Sequence, residues 1–368
     1  MKVTAYTRIG DFGQEALRFV VELNTPAPAL QPEDFQLDGA FTDISLTMPS
    51  RMLAVRAEGN TLELTVLPFR YSAKFRVTGI GAAEGIAFAK AEVNTVYTQT
   101  ADAFEPHVEN GVVYRLYRPQ STKPKPLVLF YHGGGECGTD NFLQMTGTMG
   151  AANLAERWPD VYVLAPQAPE GSESWEQLVR RMSLGGNKFA VNIGGSTGSG
   201  VGERGWNREY VSAVCDVIRG MVADGLVDAK RIYAIGMSMG GAGVIRTLSV
   251  APELFAAAAP ICPSMNGETY PMLAALPPLP IWISAAYIDH QPNRLAYIIR
   301  ACQQRWARGV GNTNLTVYTP EELAAYGIAC NESLSMQQVM AENHNCWTLA
   351  LHNENGLLDW LLANAKVD

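Results

Sequence analysis

A chain of 368 residues is longer than one ordinary domain, and its composition, 47% hydrophobic and 17% charged, excludes the disordered class. A formal net charge of -8, with no basic run to offset it, leaves no general attraction for nucleic acid or anionic lipid. The opening MKVTAYTRIGDFGQEALRF holds no apolar stretch of leader length, and no segment approaches the ~20 apolar residues that span a bilayer. As it stands, the sequence predicts a cytoplasmic protein without nucleic-acid or membrane partners.

Residues 1–98 read as strands. VTAYTRI, ALRFVVEL, ISLTM, LELTVL and AKFRVTGI are short, rich in β-branched and aromatic residues, and separated by Gly, Pro, Asn and Asp. They predict a small all-β sandwich with no chemistry-bearing cluster. The segment 99–111 reads as a connection. From residue 112 the pattern becomes α/β, a mainly parallel sheet with helices on both faces. Strand candidates are VVYRLYRP (112–119), LVLFY (127–131), VYVLAP (161–166), RIYAIG (231–236), FAAAAPI (255–261), IWISAAY (281–287) and LTVYT (315–319). Between them, Val211, Val214, Val217, Ile218, Met221 and Val222 mark one helix face. Further helices are expected over 295–307 and in the closing GLLDWLLANAK (356–366). Residues 183–205 carry eight glycines and break the alternation; they read as an insertion near the active face or as a surface loop.

Six scattered cysteines, Cys137, Cys215, Cys262, Cys302, Cys330 and Cys346, form no C-x-x-C pair. That predicts no metal site and favours free thiols.

G-x-S-x-G occurs twice, around Ser196 and around Ser238. The motif describes a tight strand-to-helix turn that lifts a serine out of a sheet. Ser238 has both flanks, RIYAI before it and GGAGVIRTLSV after it. Ser196 is followed by STGSGVGERG, which forms no stable helix. Ser238 is therefore the expected nucleophile. A serine hydroxyl needs a base within hydrogen-bond reach and a carboxylate to orient that base. Acid and then histidine should follow in chain order. Asp289 follows IWISAAY almost directly. Its competitors Glu253, Glu268, Glu321, Glu322, Glu332 and Glu342 lie in helical or turn text. Of the later histidines, His344 lies in polar text after the last strand. His290 adjoins the expected acid, and His352 lies in helical text. The expected base is His344. Oxyanion donors are expected from Met239, after the nucleophile, and from Gly134 or Gly135 in the loop that follows LVLFY.

Four segments carry a family resemblance. YHGGGECGTDN (131–141) is similar to an oxyanion loop written H-G-x-G-E-R-G-x-D-N. APQAPEGSESW (165–175), VDAKRIYAIGMSMGG (227–241) and HNCW (344–347) match the other family motifs. Together they resemble the esterases related to polyhydroxybutyrate depolymerases, also described as phospholipase/carboxylesterase-like or prolyl-oligopeptidase-like. The resemblance implies an α/β-hydrolase fold over 112–368 and carboxylesterase activity on a small-molecule ester, without cofactor. It also implies an immunoglobulin-like domain over 1–98. The spacing to Trp347 supports His344. Cys137 stands where the family usually has Arg. Trp175 and Trp347 are candidates to line the substrate pocket. Two enzymatic alternatives are a serine peptidase of prolyl-oligopeptidase type and a feruloyl or acetyl esterase acting on polysaccharide. The non-enzymatic alternative is a carbohydrate-binding or adhesion module on an inactive scaffold. Roles open to the N-terminal domain include homo-oligomerisation.

Overall fold

The structure is a computed structural model describing residues 1–43, 47–71, 74–170 and 205–367. It divides into two compact units, Met1–Phe104 with Met145–Asn153, and Glu105–Gln144 with Leu154–Asp368.

The first unit is all-β, as expected. Its strands are β1 (Lys2–Gly10), β2 (Gly13–Glu22), β3 (Phe35–Asp38), β4 (Met52–Glu58), β5 (Thr61–Arg70), β6 (Arg76–Gly79), β7 (Ala87–Ala89) and β8 (Thr95–Thr98). Along β5, Leu62, Leu64 and Val66 are buried and their neighbours only partly so, the period-two signature of a half-buried strand. The strands form a five-stranded sheet, β4-β5-β2-β1-β8, and a three-stranded sheet, β3-β6-β7. An aromatic cluster joins them. Phe19 of β2 lies 5.2 Å from Phe88 of β7 and 5.2 Å from Phe75, itself 5.2 Å from Phe69. Rings at these separations add to the area they bury. ISLTM lies partly outside the described residues; its Thr47 and Met48 are in no strand.

The expected connection at 99–111 needs correction. Residues 101–103 form a short 3-10 turn of the first unit. Glu105–Glu109 then form β9, an edge strand of the second unit's sheet, paired antiparallel with β10 (Val112–Tyr117). EPHVE is polar and contains Pro106, which an edge strand tolerates because it leaves one row of backbone groups unpaired. Local composition therefore reads as loop. Met145–Asn153 belongs to the first unit for a similar long-range reason. Asn153 Nδ2 donates to the Ile9 carbonyl at 2.9 Å.

The second unit adds β11 (Lys125–Tyr131), β12 (Tyr162–Gln167), β13 (Val227–Met237), β14 (Ala257–Ile261), β15 (Ile281–Ala286) and β16 (Thr313–Tyr318). Its sheet runs β16-β15-β14-β13-β11-β12-β10-β9, parallel except at the β9-β10-β12 end. All five residues of β14 are buried, the run of apolar residues that a strand covered on both faces requires. One face carries Leu127, Leu129, Ile232, Ala234, Ile281 and Ile283 into a core shared with the helix Arg208–Ala223. That helix starts where the Asn207 side chain accepts from Tyr210 N–H. The opposite face meets the closing helix, Leu357–Ala363: Trp282 packs edge-on against Trp360, and Tyr233 Oη donates to the Asn364 carbonyl at 2.6 Å. The helix expected over 295–307 spans Arg294–Ala307.

Candidate active site

The sheet's strand ends deliver the site, where open α/β sheets place their crevices. Ser238 follows β13 and precedes the helix Met239–Val250. Its backbone is strained, at φ 56 and ψ -118, a conformation that persists only where surroundings enforce it. Ser238 N–H donates to Ile261 O and Ser264 N–H to Ser238 O, both at 2.9 Å, pinning the turn from two sides. Glycine is required at position 240 because the helix start rides on the strand-end backbone. A Cβ there would stand 2.1 Å from Tyr131 O and 2.5 Å from His132 O.

His344 Nε2 lies 2.9 Å from Ser238 Oγ, and His344 Nδ1 lies 2.9 Å from Asp289 Oδ2. A carboxylate only accepts, so a proton on Nδ1 donates to Asp289 and leaves Nε2 to accept from the serine. Oδ1 of Asp289 is also engaged. Gln291 N–H donates to it at 2.9 Å, and His290 Nδ1 lies 3.1 Å away. Burial alone would push the Asp289 carboxyl up. The charges of His344 and Arg294, with the His344 hydrogen bond, instead hold it well below the ordinary carboxylate value. The His290 ring stands edge-on to His344 at 4.4 Å. Burial and the neighbouring His344 bring its value down to about 3, despite the pull of Asp289. His352 lies elsewhere, beside Tyr326. Of the rival acids, Glu253 and Glu268 pair with arginines, Arg219 and Arg246.

The loop that carries the oxyanion candidates approaches the serine at Gly133. A Cβ on Gly133 would stand 3.9 Å from Ser238 Cβ, and Gly134 opens the 3-10 turn Gly134–Glu136. Nothing lies within 4 Å of where a Gly135 Cβ would be. Met239 is the first residue of its helix, where N–H groups lack an intrahelical acceptor. Sequence reasoning missed what braces this loop. Gln167 donates to Asp140 Oδ1 at 2.8 Å and to Glu136 O at 3.2 Å, and its Oε1 accepts from Asn141 N–H at 2.7 Å. His132 is fully buried. Its Nε2 accepts from Ala168 N–H at 2.9 Å, so its proton sits on Nδ1, 2.6 Å from Gly133 O. The A-P-Q motif held this signal, because glutamine can donate and accept at once.

Trp347 stands edge-on to His344 at 5.4 Å, its Nε1 buried without a hydrogen-bond partner. Trp175, the second G-x-S-x-G at Ser196 and residues 183–204 of the Gly-rich stretch lie outside the described residues. Ligand atoms of Asp289, His290 and His344 fall within 4.8 Å of one another, the one such group among the described residues. The place of a cation there is already taken, since the buried Arg294 guanidinium lies 3.4 Å from Asp289 Oδ1 and 2.9 Å from His344 Nδ1.

Residues 172–296 match the model of the prolyl oligopeptidase family, a span that holds Ser238 and Asp289. No curated protein matches the sequence. A solved thermostable esterase superposes with a TM-score of 0.68 at 23% identity, covering 99% of this chain and 100% of that one. A poly(3-hydroxybutyrate) depolymerase from Bordetella parapertussis gives a TM-score of 0.41 at 16% identity, covering 70% of this chain and 93% of that one. The fold is that of the α/β hydrolases, preceded by a β-rich unit. No helix among the described residues is long and apolar enough to cross a membrane.

Proposed function

We propose that this α/β hydrolase is a serine carboxylesterase acting on small or short-acyl esters, with Ser238, His344 and Asp289 as its triad. The carrying observation is the pair of 2.9 Å contacts that run from Ser238 Oγ through His344 to Asp289. Ser238 Oγ attacks the ester carbonyl carbon while its proton passes to His344 Nε2. The carbonyl oxygen becomes an oxyanion facing the N–H groups of Met239 and Gly134, with Gly135 as the alternative donor. Collapse breaks the carbon–oxygen bond to the alcohol, which takes the proton from Nε2. Water then attacks the acyl-enzyme, gives a proton to Nε2, and the acid leaves as Ser238 recovers that proton. Asp289 orients the ring and stabilises its charged form. No step calls on a cofactor. Trp347, beside His344, is the candidate pocket wall.

Ser238→Ala tests the reading with p-nitrophenyl acetate. The expected loss in kcat is roughly 10⁴-fold or more, and turnover near wild type would refute it. A peptidase is the second reading, favoured by the family match over 172–296. Hydrolysis of a prolyl peptide anilide faster than of the ester would support it. The peptidases of that type carry a propeller, and the sheets of five and three strands in the first unit do not make one. We read that unit as an immunoglobulin-like sandwich, supported by its two sheets, antiparallel except where β8 pairs parallel with β1, and by the aromatic cluster between them.

A further inference from the structure

Arg294 opens the helix Arg294–Ala307, yet its side chain is only 2% exposed. Nη1 donates to the Cys262 carbonyl. Helix stability does not call for this residue, because a cation is unfavourable at a helix start. Burying a guanidinium is costly as well unless a partner offsets it. Its partners are the two groups of the relay. Nε lies 3.4 Å from Asp289 Oδ1, and Nη1 lies 2.9 Å from His344 Nδ1.

His344 Nδ1 thus faces opposite demands at equal distances. Asp289 Oδ2, at 2.9 Å, accepts only and calls for a proton on Nδ1. Arg294, also at 2.9 Å, donates only and calls for a bare nitrogen. Once His344 takes the serine proton, both ring nitrogens carry hydrogen. The guanidinium then stands beside an imidazolium, at the nitrogen it contacts.

We propose that Arg294 is a positioning residue of the relay, one that steadies the Asp289 carboxylate while opposing positive charge on His344, and so sets the pH at which the site turns on. This rests on the acyl-transfer reading above. The other ionisable groups facing His344 are Asp289 and His290 from the loop after β15, and Cys262 after β14 with Cys346 beside it. His290 stays neutral at its value of about 3, and thiols bear no positive charge. Arg294 is therefore the one permanent cation in this set. Burial and Arg294 lower the value of His344, Asp289 and Cys262 raise it, and the balance lies above the ordinary histidine value. Protonated His344 cannot take the serine proton, so activity falls as the pH drops through that value.

The test is the pH profile of kcat/KM on p-nitrophenyl acetate for two variants. Arg294→Gln keeps a donor for the Cys262 carbonyl and removes the charge, and Arg294→Lys keeps the charge. Losing the cation should lift the acid-limb midpoint of the Gln variant by about one pH unit or more, the size of shift a like charge in contact produces. The Lys variant should stay near wild type. Acid limbs that overlay in all three proteins, or failure of both variants to fold, would reduce Arg294 to packing and overturn the proposal. Ser238→Ala, run alongside, separates the two readings. Activity surviving there removes the acyl-transfer mechanism itself, whereas unmoved limbs with an inert Ser238→Ala remove only the role of Arg294.

Discussion

The two units bury their interiors by different rules. In the first, alternating strands turn one face inward, and an aromatic cluster of Phe19, Phe69, Phe75 and Phe88 fills the space between two sheets. In the second, strands such as β11 and β14 are apolar on both faces, and the ionisable groups gather beyond their ends. Asp289 and Arg294 are buried there beside the half-buried His344 ring because each compensates another. Charge buried in one cluster at strand ends marks the second unit as the seat of chemistry. Among the described residues of the first unit no metal-ligand cluster appears, and ion pairs such as Lys2–Glu22 and Arg56–Glu58 involve solvent-exposed side chains.

Three substitutions would break or sharpen this contrast. Gly240→Ala should act most strongly, because its Cβ would meet backbone oxygens of Tyr131 and His132 that cannot swing aside. We expect ester hydrolysis to fall by roughly 10³-fold or the protein to fail to fold, as strain at an enforced turn predicts. Soluble, fully active Gly240→Ala would show that the elbow can open. Phe19→Ala removes a fully buried ring from the first unit and should cost about 3–5 kcal/mol by denaturant titration. Turnover per folded molecule should persist. An unchanged denaturation midpoint with lost turnover would place the β unit in the chemistry. Gln167→Ala should have the smallest effect, about a 10-fold loss in kcat with little change in KM, because it loosens a loop that the transition state uses more than the ground state. A rise in KM at constant kcat would instead put Gln167 in substrate binding.

Much of the site could be read from the chain because its chemistry depends on short-range text. The Ser238 elbow needs a strand, a tight turn and a helix, and all three are contiguous in RIYAIGMSMGGAGVIR. Asp289 and His344 were legible from chain order and from their places after late strands. The structure brings both within hydrogen-bond reach of the relay. Arg294 was not legible. As text it is the residue before the helix expected over 295–307, and only the approach of Cys262, Asp289 and His344 from other segments turns it inward. Gln167 was visible as a motif letter without a task, because its partners lie 26 to 31 positions earlier in the chain.

The sequence by itself determined the all-β start, the α/β remainder and the turn that strains Ser238, since period, apolar runs and glycine placement act over a few residues. Tertiary structure alone decided that EPHVE pairs as β9 and that Met145–Asn153 joins the first unit. It also decided that a buried guanidinium leans on the relay. Pairing and charge compensation are long-range. They depend on which segments meet, and no local pattern carries that information.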